Sequence, residues 1–178
     1  MDKIIPQILG LLAVATFLLS YQQKKRKNII IWNVISRTLY IVQYIMLGAF
    51  SGALLDILGA VSSVLAEKKD TSFIKKHTKA VFLAVCGVII ATGLGISILN
   101  KSVLDIFPLI GVLLHTSAFW ITSEKIIRIV SLAGSPFWFV YNLLSKAYGS
   151  AAGDILTMAS IITAMIRFKD TKKEKSNV

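Results

Sequence analysis

Cysteine is nearly absent from this chain. Cys86 stands alone among 178 residues, which excludes an intrachain disulfide, a Cys-x-x-Cys redox pair and a Cys/His zinc site. It lies inside an apolar run and reads as a small packing residue. Acids are scarce as well: nine Asp and Glu face 20 Lys and Arg, for a net charge of +11. Charged residues of both signs make up only 16% of the chain, against roughly a quarter in an ordinary soluble domain. Missing too are a Ser/His/Asp set, paired acids at hydrolase spacing and a phosphate-binding glycine loop. The connections between apolar runs are too short to hold a separate catalytic domain. No enzymatic activity, cofactor or metal is therefore expected. The basic residues cluster between apolar runs instead of along a helix face, with no nucleic-acid motif beside them. They point to contact with anionic lipid and away from DNA or RNA.

What the chain does have is apolar length. Apolar residues make up 55% of it and its mean hydropathy is +0.71, more apolar surface than a small soluble core can hide. A bilayer needs roughly 20 apolar residues per helical crossing, fewer where it thins. Seven segments fit, at 4–21, 29–47, 50–66, 79–99, 103–122, 126–145 and 149–167. Turn chemistry marks the breaks: Gly48 to Gly52, Asn100-Lys101-Ser102, and Tyr148-Gly149-Ser150. Ser102 with Asp105 three residues on reads as an N-terminal cap. The first segment follows MDK with no small-residue cleavage site behind it and is expected to stay as a helix. With the N-terminus outside, 16 of the 20 basic residues fall on the inner side. Lys3, Lys101 and Lys146 fall outside and Arg37 within a helix. This bias predicts N-out, C-in and an odd number of crossings.

The third and seventh segments resemble one another. AFSGALLDILGAVSSVLA at 49–66 and AYGSAAGDILTMASIITA at 147–164 share seven identities in 18 at an offset of 98. They include Asp56-Ile57-Leu58 over Asp154-Ile155-Leu156. Upstream, Tyr40 falls over Trp138, Val42 over Val140 and Lys27 over Lys125. The expected architecture is an all-α membrane protein of two parallel three-helix repeats, at 1–66 and 103–168. The basic loop and a glycine-rich fourth helix at 67–102 join them, and a basic cytoplasmic tail at 169–178 follows. An odd linker restores the starting side, so the two repeats are parallel about an axis along the membrane normal.

This 3+1+3 order resembles the SWEET and PQ-loop (MtN3-like) transporters. LLSYQQKKRKNI at 18–29, LGAFSGALLDILGA at 47–60 and SPFWFVYN at 135–142 look more closely like the YgjV family of bacterial inner-membrane proteins. The resemblance implies a multi-pass protein of the bacterial plasma membrane. The proline-glutamine pair of the PQ-loop pattern is missing from the inner end of the first helix, where Tyr21-Gln22-Gln23 stand; Pro6-Gln7 lie at the other end.

The two aspartates carry the chemical interest. Asp56 and Asp154 lie about six residues in from their outer helix ends, about 9 Å deep at 1.5 Å per residue. An unpaired carboxylate there is costly, so each must be protonated, paired or exposed to a polar cavity. Arg37 is the natural counter-ion of Asp56, within stretching reach. Ser135 occupies the corresponding place in the second repeat, so either Arg37 serves both aspartates or Asp154 is protonated. Trp138 and Asn142, with Tyr40 and Tyr44 on the equivalent helix, are expected to line a cavity suited to a polar, sugar-like solute. Trp32 and Tyr148 fit interfacial belts. Pro136 removes one backbone hydrogen bond mid-helix, either a hinge for gating or a static kink. A lone His115 reads as an interhelical hydrogen-bonder. Gly48-x-x-x-Gly52 and Gly149-x-x-x-Gly153 read as close packing within each bundle, with homo-oligomer contact left open. Two functions fit: a small-solute transporter or binder acting between two helix bundles, or a non-transporting scaffold or regulatory subunit. In the second, the same charged groups would be a buried polar staple.

Overall fold

The computed structural model describes residues 4–176, with side chains described to 168. Lys3 and the side chains of the basic tail at 169–178 lie outside the described residues. The described chain is helical throughout: α1 (Ile4–Tyr21), α2 (Arg26–Leu47), α3 (Phe50–Glu67), α4 (Ser72–Asn100), α5 (Ile106–Trp120), α6 (Glu124–Leu144) and α7 (Tyr148–Ser176), with a short 3₁₀ turn, Val103–Asp105, leading into α5. Among the described residues, seven spans are long and apolar enough to cross a membrane. Their packing has the polarity a bilayer demands. Asn33, Arg37, Gln43, Asp56 and Asn142 are buried inside. Ile4, Leu11, Phe50, Leu83 and Leu99 stand exposed on the outside. A water-soluble core has the reverse arrangement; here the apolar outer surface faces lipid and the polar groups find partners only within the bundle.

The helices neighbour one another in the order α1, α2, α3, α5, α6, α7, and α7 returns to α1, so that six of them close a ring. α4 lies outside the ring against α3 and α5. Only 11% of the α4 span is buried, against 39 to 50% for the others, so α4 is largely surrounded by lipid. It starts seven residues earlier than hydropathy predicts. The basic stretch 72–78 is helical too, and His77 (φ −119°, ψ 22°) breaks the regular geometry where the charged turn meets the apolar run. Lysine is a good helix former, so charge ends the apolar run without ending the helix.

Three turns at one end of the bundle use left-handed backbone: Gly48 (φ 71°), Lys101 (φ 49°) and Lys146 (φ 60°). Gly48 and Lys146 close their helices identically. Gly48 N–H reaches Ile45 O and Ala49 N–H reaches Tyr44 O, while Lys146 N–H reaches Leu143 O and Ala147 N–H reaches Asn142 O. The break before α7 therefore falls at Ser145 to Ala147, and Gly149 and Ser150 already belong to the first turn of α7. This corrects the expectation from Tyr148-Gly149-Ser150: the left-handed position is filled by a lysine, a residue without turn preference. The expected Ser102 cap does not form. The chain enters a 3₁₀ turn there, Ser102 makes no side-chain cap bond, and Asp105 instead accepts from Asn100 Nδ2 at 2.9 Å.

Candidate functional site

The centre of the ring is polar and buried. Arg37 on α2 pairs with Asp56 on α3, and its Nε donates to Asn33 Oδ1, one helical turn back, at 2.9 Å. Tyr44 Oη donates to Asn142 Oδ1 at 2.7 Å, and Asn142 Nδ2 donates to Asp154 Oδ2 at 2.8 Å. A chain of hydrogen bonds thus runs from α2 through α6 to α7. No lysine or arginine among the described residues pairs with Asp154. Of the two alternatives left open for it, sharing Arg37 is not what is seen: the amide of Asn142 takes the place of a cation.

Aromatic rings wall the space between these groups. Tyr44 stacks on Trp138 (6.1 Å, 12°) and on Tyr40 (6.0 Å, 17°). Phe17 on α1 stacks on His115 on α5 (5.8 Å, 7°). Together with Arg37, Asp56, Asn142 and Asp154 they surround a cavity of about 20 Å³, room for one or two water molecules. All six helices of the ring contribute a lining residue, and each lining side chain is buried. His115 Nε2 reaches no hydrogen-bond partner among the described residues.

The expected cavity residues Asp56, Asp154, Arg37, Asn142, Trp138, Tyr40 and Tyr44 all line this one space. Pro136 does not. It sits on the exposed surface of α6, which runs unbroken through it. Phe17 and His115 are the residues that sequence reasoning missed at the site. The signal for them was the offset itself: Phe17 and His115 are 98 apart, as are Tyr44 and Asn142, and both pairs touch.

Both ends of the ring are shut. At the end carrying the basic loops, Arg26 on α2 donates to Ala66 O at the end of α3 (2.6 Å), to Ile121 O (3.1 Å) and to Phe119 O at the end of α5. Arg128 on α6 donates to Tyr21 O (3.3 Å) and Gln23 O (2.9 Å) at the end of α1. Each arginine takes up helix C-terminal carbonyls that lack intrahelical partners. In the same region Lys69 Nζ donates to Trp120 O (3.1 Å). Partial burial, with Arg26 nearby, pulls the Lys69 ammonium below the usual lysine value. At the opposite end, Gly52 N–H donates to Tyr141 Oη (2.9 Å) and Ser150 Oγ donates to Gln43 Oε1 (2.7 Å). A Cβ on Gly52 would lie 2.7 Å from the Tyr141 ring, and one on Gly153 would collide with Val14. These glycines therefore serve contacts of α3 with α6 and of α7 with α1, not the packing within a bundle that their spacing suggested.

Fold and site together define a multi-pass α-helical membrane protein with a buried polar centre. The chain belongs to the Imp-YgjV family of bacterial inner membrane proteins, whose sequence profile matches residues 4–172. No curated protein and no solved structure matches it.

Proposed function

We propose that this protein carries a small polar solute across the bacterial inner membrane, without chemistry on it. The solute is held between two parallel three-helix units, 1–66 and 103–168, that rock against each other, with α4 as the linker. One observation carries the reading: six helices converge on a single buried polar cavity, and positions 98 apart meet face to face across it, Phe17 on His115 and Tyr44 on Asn142. A twofold axis through the cavity is what produces such self-pairing. The 3+1+3 order is that of SWEET and PQ-loop carriers. In this conformation hydrogen bonds tie the helix ends together on both sides of the cavity. The basic end is proposed to be cytoplasmic, N-terminus outside and C-terminus inside.

A second reading, a non-transporting scaffold, is favoured by the pairing of Arg37 with Asp56 and of Asn142 with Asp154, which satisfies most of the central polar groups. Proteoliposomes holding the purified chain separate the two. In a panel of small solutes the carrier admits at least one faster than empty liposomes do, and Asn142→Ala, at normal protein level, slows it. Rates equal to empty liposomes for every solute would leave the scaffold.

A further inference from the structure

Resting on the carrier reading for its transport arm alone, we propose that Asp154 is a proton-binding site. Its proton exchanges with the side carrying the basic loops through a lane of buried hydroxyls on α1, α6 and α7. Asp154 is buried, and its partner among the described residues is the neutral amide of Asn142, which donates to Oδ2. No cation stands beside it, because Arg37 is taken by Asp56 and steadied by Asn33. A carboxylate so placed, in a ring whose outside is lipid, is costly. A proton on Oδ1 removes the charge and leaves the bond from Asn142 intact.

The lane is an independent observation. Among the described residues six buried side-chain polar atoms reach no partner, and the oxygens in that set are Tyr21 Oη on α1, Ser131 Oγ on α6 and Thr157 Oγ1 on α7. These three helices pack together, α7 against both α1 and α6. Depth orders the groups. Counted at about 1.5 Å per residue from the helix ends away from the basic loops, Asp154 lies about 9 Å down, Thr157 about 14 Å and Ser131 about 20 Å. Thr157 follows Asp154 by three residues and shares its face of α7. Tyr21 ends α1 on the basic side; its Oη faces Ser131 Oγ without closing a bond of ordinary geometry. Buried hydroxyls are seldom left so, and one held in no fixed bond is free to accept and donate in turn. A proton leaving Asp154 breaks its O–H bond and forms one on the next oxygen, a hydroxyl or an intervening water, which passes its own proton on. The last is released to water at the basic side, and the carboxylate regains one by the same route.

The first half has no such lane. At the offset of 98, Gly59, Asn33 and Phe119 stand for Thr157, Ser131 and Tyr21, and the Arg37 guanidinium lies against Gly59. The other ionisable groups around Asp154 are engaged elsewhere. Across the cavity Arg37 and Asp56 neutralise each other, Tyr44 donates to Asn142, Tyr40 packs on Tyr44, and His115 Nε2 packs against Gly134. On α6, Arg128 bonds carbonyls at the end of α1 and Tyr141 bonds Gly52.

The test is infrared spectroscopy of the full-length protein in nanodiscs at neutral pH as water is replaced by D2O. A protonated-carboxyl C=O band is expected that is absent from Asp154→Asn and shifts down on exchange. Thr157→Val, Ser131→Ala and Tyr21→Phe should each slow that shift at least tenfold, while backbone amide exchange in the same spectra stays as in the parent protein. Thr38→Val, on the outer surface, should leave it unchanged. Absence of a band assignable to Asp154, or equal rates in the parent protein and all three lane variants, overturns the proposal. Transport is read separately, with the solute panel above in proteoliposomes. Raising the pH on both sides ionises Asp154 and puts a charge at the centre of the ring, so uptake should fall with pH in the parent protein and lose that dependence in Asp154→Asn. The same pH dependence in both overturns the role of Asp154 in transport. The exchange pattern without accelerated uptake of any solute upholds the proton site and fails the carrier reading; accelerated uptake with no protonated carboxyl at Asp154 does the reverse.

Discussion

Arg37, Asp56 and Asp154 are three ionisable groups at one centre, and the fold holds each of them differently. Arg37 and Asp56 neutralise each other while almost fully buried; removing one partner of such a pair strands the other and costs about 3–5 kcal/mol. Asp56→Asn is therefore expected to lower the unfolding midpoint sharply. The double substitution Arg37→Met with Asp56→Leu, which leaves no charge behind, should recover much of the loss. Asp154→Asn keeps the shape and the contact with Asn142 and exchanges one neutral group for another where no cation stands, so its effect should stay within about 1 kcal/mol of zero. Unfolding of the four proteins side by side in one detergent checks the order, and equal losses for Asp56→Asn and Asp154→Asn would contradict it. This asymmetry is legible in the amino-acid sequence, because Ser135 stands where a second arginine would be. What replaces that arginine is not legible there. Asn142 lies 12 residues from Asp154, across a turn whose geometry no spacing rule supplies.

At the level of the helices, hydropathy located all seven candidate spans among the described residues, because lipid leaves the backbone few choices: a span must be long, apolar and internally hydrogen-bonded. Helix ends were harder, because there local chemistry competes with polar solvent. Gly48 announced its turn; Lys146 did not, although the two residues take the same left-handed backbone and the same pair of closing bonds. The offset of 98 pairs them, and it would have moved the break from 148–150 to 146 had it been followed one turn upstream. A side chain in this region costs about 1 kcal/mol or slightly more relative to glycine. Lys146→Gly should therefore raise stability by about that amount and Gly48→Ala should lower it similarly. Nothing stands within 4 Å of a Cβ at Gly48, so backbone strain alone is being measured. Thermal unfolding in the same detergent checks both, and a destabilising Lys146→Gly would mean that the lysine side chain does more than fill the turn. The two arginines at the basic end were equally unreadable. Arg26 and Arg128 look like topology signals, and at least part of their work is to cap helices that only the tertiary fold brings within reach.

Across the whole molecule, closure at the basic end depends on charge-assisted bonds that cross between helices of the two proposed units: Arg26 reaches α5 and Arg128 reaches α1. Hydrogen bonds to charged groups contribute about 1.5–3 kcal/mol each, so removing both arginine clasps should favour a state open at this end by a factor of ten or more. The closing contacts at the opposite end, Gly52 with Tyr141 and Ser150 with Gln43, are untouched by that change. A reporter cysteine at the cavity wall, Phe17→Cys in a Cys86→Ser background, reads the difference. In Arg26→Gln with Arg128→Gln, a membrane-impermeant maleimide should label it at least tenfold faster from the side carrying the basic loops. Labelling from the other side should stay slow. Tyr141→Phe, which weakens the contact with Gly52, should show the mirror pattern. If the cytoplasmic face is the basic one, the first pattern appears in inside-out vesicles and the second in right-side-out vesicles. Unchanged labelling from both faces in both variants would mean that the ring does not open at its ends, and the central cavity would then belong to a static core.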